Sequence, residues 1–209
     1  MFVIGVTGHR GLTAAQMSAV EAQVRAFLGE CAAANAIDTC HAGGIALMTS
    51  LAAGADTLCA KCAIDMGMRL IAVLPMGASV YREDFSQVQA RDFDGLLSLA
   101  DEVVVPGRTG GIGGDAVTSA SVAGEVVVPG IMGGIGSISS EGPDPGSADF
   151  SRGQRYRMAS RYIVQHCDML LAIWDGVRRD TRDGAGTWET VKMARQYGRE
   201  VAWIRTGLT

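Results

Sequence analysis

The chain contains no apolar run of the roughly 18 residues that a membrane-spanning helix needs, so no membrane span is expected. Basic charge is in deficit. There are 18 Lys and Arg against 22 Asp and Glu, for a net charge of −4 and a pI near 5.3. That balance argues against the basic surface that broad nucleic-acid binding requires. Aromatics make up only 6% of the residues, few for the stacking platforms that hold single strands. The N-terminus opens at once on strand-like FVIGVTG without a basic leader, so no signal peptide is expected. Five cysteines, an odd number with no framework spacing, fit reduced thiols and a cytoplasmic location. Cys59 and Cys62 form a C-x-x-C inside a helical pattern with no second pair, so they read as small buried residues. No metal and no cofactor is expected.

What is present is a chain of 209 residues, 48% hydrophobic and rich in glycine, long enough for one α/β domain and short for two. The stretch Met169 to Ala194 organises the rest. Its apolar run, Met169 to Trp174, suits a buried parallel strand. After Asp175-Gly176 comes a polar loop, and Gly184-Ala185-Gly186-Thr187-Trp188-Glu189 then leads into a helical pattern. A strand, a Gly-rich turn and a helix N-terminus make an anion site, because free backbone N–H groups and the helix dipole point at the ligand. Thr187 can cap that helix or donate its hydroxyl, and Glu189 sits in its first turn, where a carboxylate is also favoured for structural reasons.

Further along the same logic, Phe2 to Val6 reads as a strand broken by Thr7-Gly8-His9-Arg10. A capping box from Thr13 to Gln16 starts a helix through about Ala34. Ile45 to Leu51 is a strand, with a helix from Gly54-Ala55-Asp56 to about Met66 and Gly67 as its stop. Leu70 to Leu74, Val103 to Val105 and Val201 to Ile204 are further strands. Helices are expected over Ser86 to Ala100, Arg155 to Cys167 and Thr187 to Tyr197. Alternation of this kind predicts a doubly wound parallel sheet, with ligands beyond the carboxyl ends of the strands.

One region breaks the pattern. Glu102-Val-Val-Val-Pro-Gly recurs from Glu125, and Gly110-Gly-Ile-Gly recurs from Gly133 with the same offset. This tandem duplication reads as a Gly-rich insertion over 108–153 within a single domain of 1–209. The first copy keeps the core strand, the second adds an edge strand or hairpin, and 137–153 is expected to be mobile.

GVTGHRGL, SLAAGADTLCAKCAIDMG with RLIAVLP, RYIVQHCDMLLAIWDG and GAGTWETVKMARQYGREVAWI, in that order, resemble the SLOG superfamily. It groups the DNA-processing (SMF) proteins with the Lonely Guy (LOG) phosphoribohydrolases. The resemblance implies a Rossmann-like fold, a site for nucleotides or nucleotide-derived ligands, and a homodimer. Some members cleave a base from a ribose phosphate; others sense NAD-derived or cyclic nucleotide signals. Gly184, Gly186, Thr187 and Glu189 match the G-x-G-T-x-E part of the LOG motif, whereas Asp183 and Thr190 depart from it. The resemblance therefore implies the ligand class more than the hydrolysis.

Cleavage of an N-glycosidic bond passes through an oxocarbenium-like state and needs a carboxylate beside the ribose and an activated water. Glu189 is the first candidate for that carboxylate and Asp175 the second, although Asp-Gly is also a turn dipeptide. Arg157 and Arg161 share a helical face and are candidates to clamp a phosphate. Thr7, Gly8, His9 and Arg10, at the end of the first strand, are expected to shape the floor of the site. Gly54 and Asp56 open the second helix, where Asp56 either bonds a ribose hydroxyl or caps the helix. Tyr81, Arg82 and Asp84 line the site or cover its rim, and Trp188 is a surface on which a base can stack. Three functions follow from these readings. They are a nucleotide N-glycosidic hydrolase, a non-catalytic sensor or carrier of a nucleotide-type small molecule, and, against the charge balance, a holder of single-stranded DNA.

Overall fold

Strand formation follows from β-branched and aliphatic runs that are apolar on both sides, and helix formation from segments whose apolar residues recur at helical spacing. The computed structural model describes residues 1–37, 44–107, 150–179 and 185–207. Among these, β1 (Phe2–Gly8), β2 (Ile45–Thr49), β3 (Arg69–Val73), β4 (Glu102–Val104), β5 (Met169–Trp174) and β6 (Glu200–Arg205) form one sheet. Every pairing is parallel, in the order β4-β3-β2-β1-β5-β6. The fold is thus the α/β Rossmann-like, doubly wound parallel sheet expected from the alternation.

Helices α1 (Ala14–Ile37), α2 (Ala55–Asp65), α3 (Ala78–Arg82) and α4 (Gln87–Ser98) fall between the first four strands. Val20, Val24 and Leu28 of α1, Leu58 and Cys59 of α2, and Phe93 of α4 pack with Ile4, Leu47 and Leu171 in one core. Helices α5 (Arg152–His166) and α6 (Thr187–Gln196) complete the described set. Their Ile163, Val164, Val191 and Ala194 pack with Ala46, Ile71 and Leu170 in a second core. Alternate residues of one strand serve the two cores, as Leu170 and Leu171 do, because successive side chains point to opposite faces. Sheet order runs outward from β1 to β4, then resumes on the other side with β5. Crossovers keep one hand, so reversing direction moves the helices to the other face.

Several boundaries differ from expectation for identifiable reasons. Helix α5 starts at Arg152, three residues earlier than expected, because Ser151 and Gln154 form a capping box. Residues 151–153 therefore belong to a helix start and not to a mobile tail. β2 stops at Thr49 because Leu51, fully buried, takes the left-handed φ of 55°, a costly conformation for a leucine. The short helix α3 arises in MGASVYREDF, where no helix was expected. The second copy of the duplicated segment, the Gly110 and Gly133 loops, Asp183 and Gly184 lie outside the described residues. Among the described residues, no helix is long and apolar enough to cross a membrane.

Candidate functional site

Strand order reverses between β1 and β5, which pair from Ile4 with Met169 to Gly8 with Ile173. At such a reversal the loops leaving two neighbouring strands diverge, opening a crevice at the carboxyl edge of the sheet. A cavity of about 310 Å³ lies there. Its floor is Val6, Thr7, Gly8 and His9 of β1 and its turn.

The first side of the cavity carries Arg10, Ser50, Asp56, Tyr81 and Tyr156. The β2–α2 loop shapes this side. The Thr57 N–H and hydroxyl both donate to the Ala52 carbonyl, at 3.1 and 2.9 Å. Asp56, in the first turn of α2, is buried at 6% exposure. Burial pushes its carboxyl up to about 6, against hydrogen bonds to the Thr49 side chain and the backbone at Ala52 and Ser50 and the attraction of Arg10. The Arg10 guanidinium lies 5.0 Å from the centroid of the Tyr156 ring. Tyr81 sits edge-on to Phe85, Phe93 and Tyr156, with centroids 4.9 to 5.9 Å away. Its hydroxyl is buried and has no hydrogen-bond partner among the described residues.

Helix α5 reaches the cavity through Tyr156, Ser160 and Ile163, one helical stripe. Its first turns are fastened to α3. Arg152 donates to the Asp84 carboxylate and, at 3.1 Å, to the Val80 carbonyl, and the Tyr156 hydroxyl donates to Asp84.

The opposite side is built by β5, its loop and α6. The Asp175 carboxylate accepts from Arg179 at 2.8 Å and from the Val177 N–H at 2.9 Å. It also lies 3.2 Å from His9 Nε2, to which the Asp175 N–H donates. The Arg179 guanidinium, ahead of the Val177 N–H and His9, holds this carboxyl well below the usual carboxylate range. Asp175 is therefore an ionised organiser of the loop, which brings Val177 and Arg179 to the cavity. Trp174 and Trp188, also on the wall, stack at 5.9 Å, and Arg178 sits 4.8 Å from the Trp188 centroid. Trp188 thus already stacks within its own chain. Helix α6 begins with Gly186 as its N-cap and no side-chain cap, so Thr187 is the first helical residue and does not cap. Ala185, Gly186, Thr187, Trp188 and Thr190 line the cavity here.

Of the residues expected at the site, Thr7, Gly8, His9, Arg10, Asp56, Gly186 and Thr187 meet in this one cavity. Asp175 stands behind it, tied to His9. Glu189 is buried and absent from the wall, although Trp188 and Thr190 on either side of it are present. Gly54 is absent too, and its role is internal. At φ 94°, a Cβ there would come within 2.5 Å of the His9 carbonyl, and the Ala55 N–H is spent on that same carbonyl at 3.1 Å. Gly8 likewise makes room for its own chain, since a Cβ would meet Ala55 Cβ at 2.4 Å and the Ile173 carbonyl at 2.8 Å. Arg157 and Arg161 are exposed and one position off the stripe that faces the cavity. Reasoning from sequence missed Tyr156, Ser160 and Arg179. No local signal marks the two on α5, because the helix that carries them is placed only by packing across the sheet.

The chain matches no protein-family profile and no curated protein. Among solved structures it is similar to DNA processing protein A from Streptococcus pneumoniae, with a TM-score of 0.52 at 16% identity. The similarity covers 99% of this chain and 51% of the other, so the chain spans about half the length of that protein. At this identity the likeness is one of fold. It agrees with the Rossmann-like architecture.

Proposed function

We propose that the chain is a SLOG-type domain that binds a nucleotide-type ligand in the cavity between β1 and β5. The observation that carries this reading is the cavity's position at the strand-order reversal, with Arg10 on one side and the first turn of α6, whose N-cap is Gly186, on the other. An anion there meets the Thr187 and Trp188 amides and the positive end of a helix dipole. The α2 N-terminus is the poorer anion site, since its Ala55 N–H already serves His9. A cavity near 310 Å³ is at the lower end of the roughly 300–1,000 Å³ typical of ligand pockets. That size suits a nucleoside monophosphate or ribose phosphate better than an ADP-ribose-like molecule.

Turnover is a separate step. Hydrolysis of the N-glycosidic bond needs a carboxyl at the ribose, and Asp56, on the wall and titrating near 6, is better placed for it than Glu189. Without turnover the protein is a sensor or carrier. Incubation with AMP, CMP, GMP, NAD and ADP-ribose, followed by thermal shift and by assay of free base, separates these. At about a hundredfold excess over its Kd, a mononucleotide is expected to stabilise the protein by about 2.7 kcal/mol, and Arg10→Ala to abolish the shift. Absence of a shift with every ligand overturns the reading. Base release lost in Asp56→Asn marks the enzyme, and stabilisation with intact ligand marks the sensor.

A second reading, holding of a nucleic-acid single strand, draws on the fold likeness to a DNA-processing protein and on half-exposed Trp203 with Arg205 5.8 Å from its ring centroid. Salt-dependent anisotropy of a labelled oligonucleotide, lost in Trp203→Ala, is its test.

A further inference from the structure

A fully buried hydroxyl without a partner costs about 1–3 kcal/mol, so a protein that retains one at a cavity wall has a use for it. Tyr81 is 0% exposed, lines the cavity, and its hydroxyl bonds to nothing among the described residues. Its ring is gripped by the edges of Phe85, Phe93 and Tyr156, which fixes where the hydroxyl stands. Burial, then the nearby Asp56 carboxyl, raises the phenol well above its ordinary range, so it remains a neutral donor and acceptor. Asp56, in the first turn of α2, lines the same cavity as Tyr81.

We infer that the Tyr81 hydroxyl and the Asp56 carboxyl form a subsite for the vicinal hydroxyls of a ribose, which makes the site selective for ribo- over 2′-deoxyribo-ligands. The inference rests on the nucleotide reading above and deepens it. Three chemistries compete for this corner. A phosphate is acceptor-only and has nothing to donate to Asp56, whose charge repels it. A metal ion finds no support, since no group of three or more His, Cys, Asp and Glu capable of holding one exists among the described residues. A hydroxyl both donates and accepts, so one can donate to Asp56 while its neighbour pairs with Tyr81. The arrangement also divides the cavity sensibly. The anion lies at the start of α6, the apolar walls of Trp174 and Ile163 face the base, and the sugar's diol meets the side that carries Asp56 and Tyr81.

The test uses the full chain with ribose 5-phosphate and 2-deoxyribose 5-phosphate, which carry no base, alongside AMP and 2′-deoxy-AMP, measured by calorimetry. The expected result is a preference of about tenfold or more for each ribo-form, because a site built to bond a hydroxyl rejects the analogue lacking it. In Tyr81→Phe that preference falls towards one, while the melting temperature holds or rises, because the variant removes an unsatisfied hydroxyl and keeps the ring. Asp56→Asn, which preserves shape, also reduces the preference. Equal affinity for ribo- and deoxyribo-forms in the wild type, or an undiminished preference in Tyr81→Phe, overturns the inference while leaving nucleotide binding intact. Ribo-selective binding of the sugar phosphates without binding of AMP would uphold the diol subsite and remove the base from the reading. Binding of none of the four overturns both.

Discussion

Two aspartates flank the cavity, and their surroundings push them in opposite directions. Asp56 stands in the first turn of α2, buried, and its carboxyl is driven up to about 6. Asp175 stands after β5 with Arg179, the Val177 N–H and His9 around it, and is held well below its ordinary range. Environment separates a carboxyl that can exchange a proton near neutrality from one that stays charged and shapes a loop. Both residues follow strand ends, and Asp-Gly and Gly-Ala-Asp are equally ordinary as local sequences. Their roles come from what lies opposite them.

The largest effect is expected at the floor the two sides share. Gly8→Ala drives a methyl into Ala55 Cβ and the Ile173 carbonyl, at 2.4 and 2.8 Å. Neither can yield without moving α2 or β5. A loss of about 3 kcal/mol is expected, read as a lower urea midpoint at unchanged slope. The next effect concerns Asp56 alone. A carboxyl with a raised folded-state pKa binds more protons when folded, so its contribution to stability is greatest at low pH. That contribution is lost as pH rises through about 6. The difference between wild type and Asp56→Asn should therefore change between about pH 4 and pH 6 and be flat above, by up to about 3 kcal/mol. A flat difference across that window would mean that Asp56 is not desolvated and that the contrast with Asp175 is false. Asp175→Asn has the smallest effect and the opposite sign. Its depressed carboxyl stabilises above the unfolded-state pKa and loses that contribution as the pH falls. Because Arg179 is largely exposed, about 1 kcal/mol or less is expected at neutral pH, with faster amide exchange confined to 176–179.

Much of the architecture was legible in the chain. The Phe2, Ile45, Leu70, Val103, Met169 and Val201 runs all became strands, and the four central ones, β1, β2, β3 and β5, are continuously apolar because parallel strands covered on both faces must be. Boundaries slipped where a side-chain cap or a backbone exception intervened, as at Ser151 and Leu51. The site was half legible. Thr7 to Arg10, Asp56, Gly186 and Thr187, picked out because strand ends and helix starts are marked by Gly, Thr and Asp, line the one cavity. Glu189, the first candidate for the carboxylate, is buried off the cavity wall for a geometric reason. One position along a helix rotates a side chain by about 100°, enough to turn Glu189 away while Trp188 and Thr190 stay on the wall. The same rotation separates exposed Arg157 from Tyr156 on α5.

Local pattern alone determined the element types, the parallel sheet and the edge at which a ligand would enter, since these depend on periodicity and on the chemistry of turns. Only the tertiary structure decided which face each helix presents, that Tyr81 and Tyr156 meet Arg10 and Asp56, and that Asp175 is committed to Arg179. Those outcomes depend on burial and on neighbours far away in the chain, and a residue's own sequence context carries no record of either.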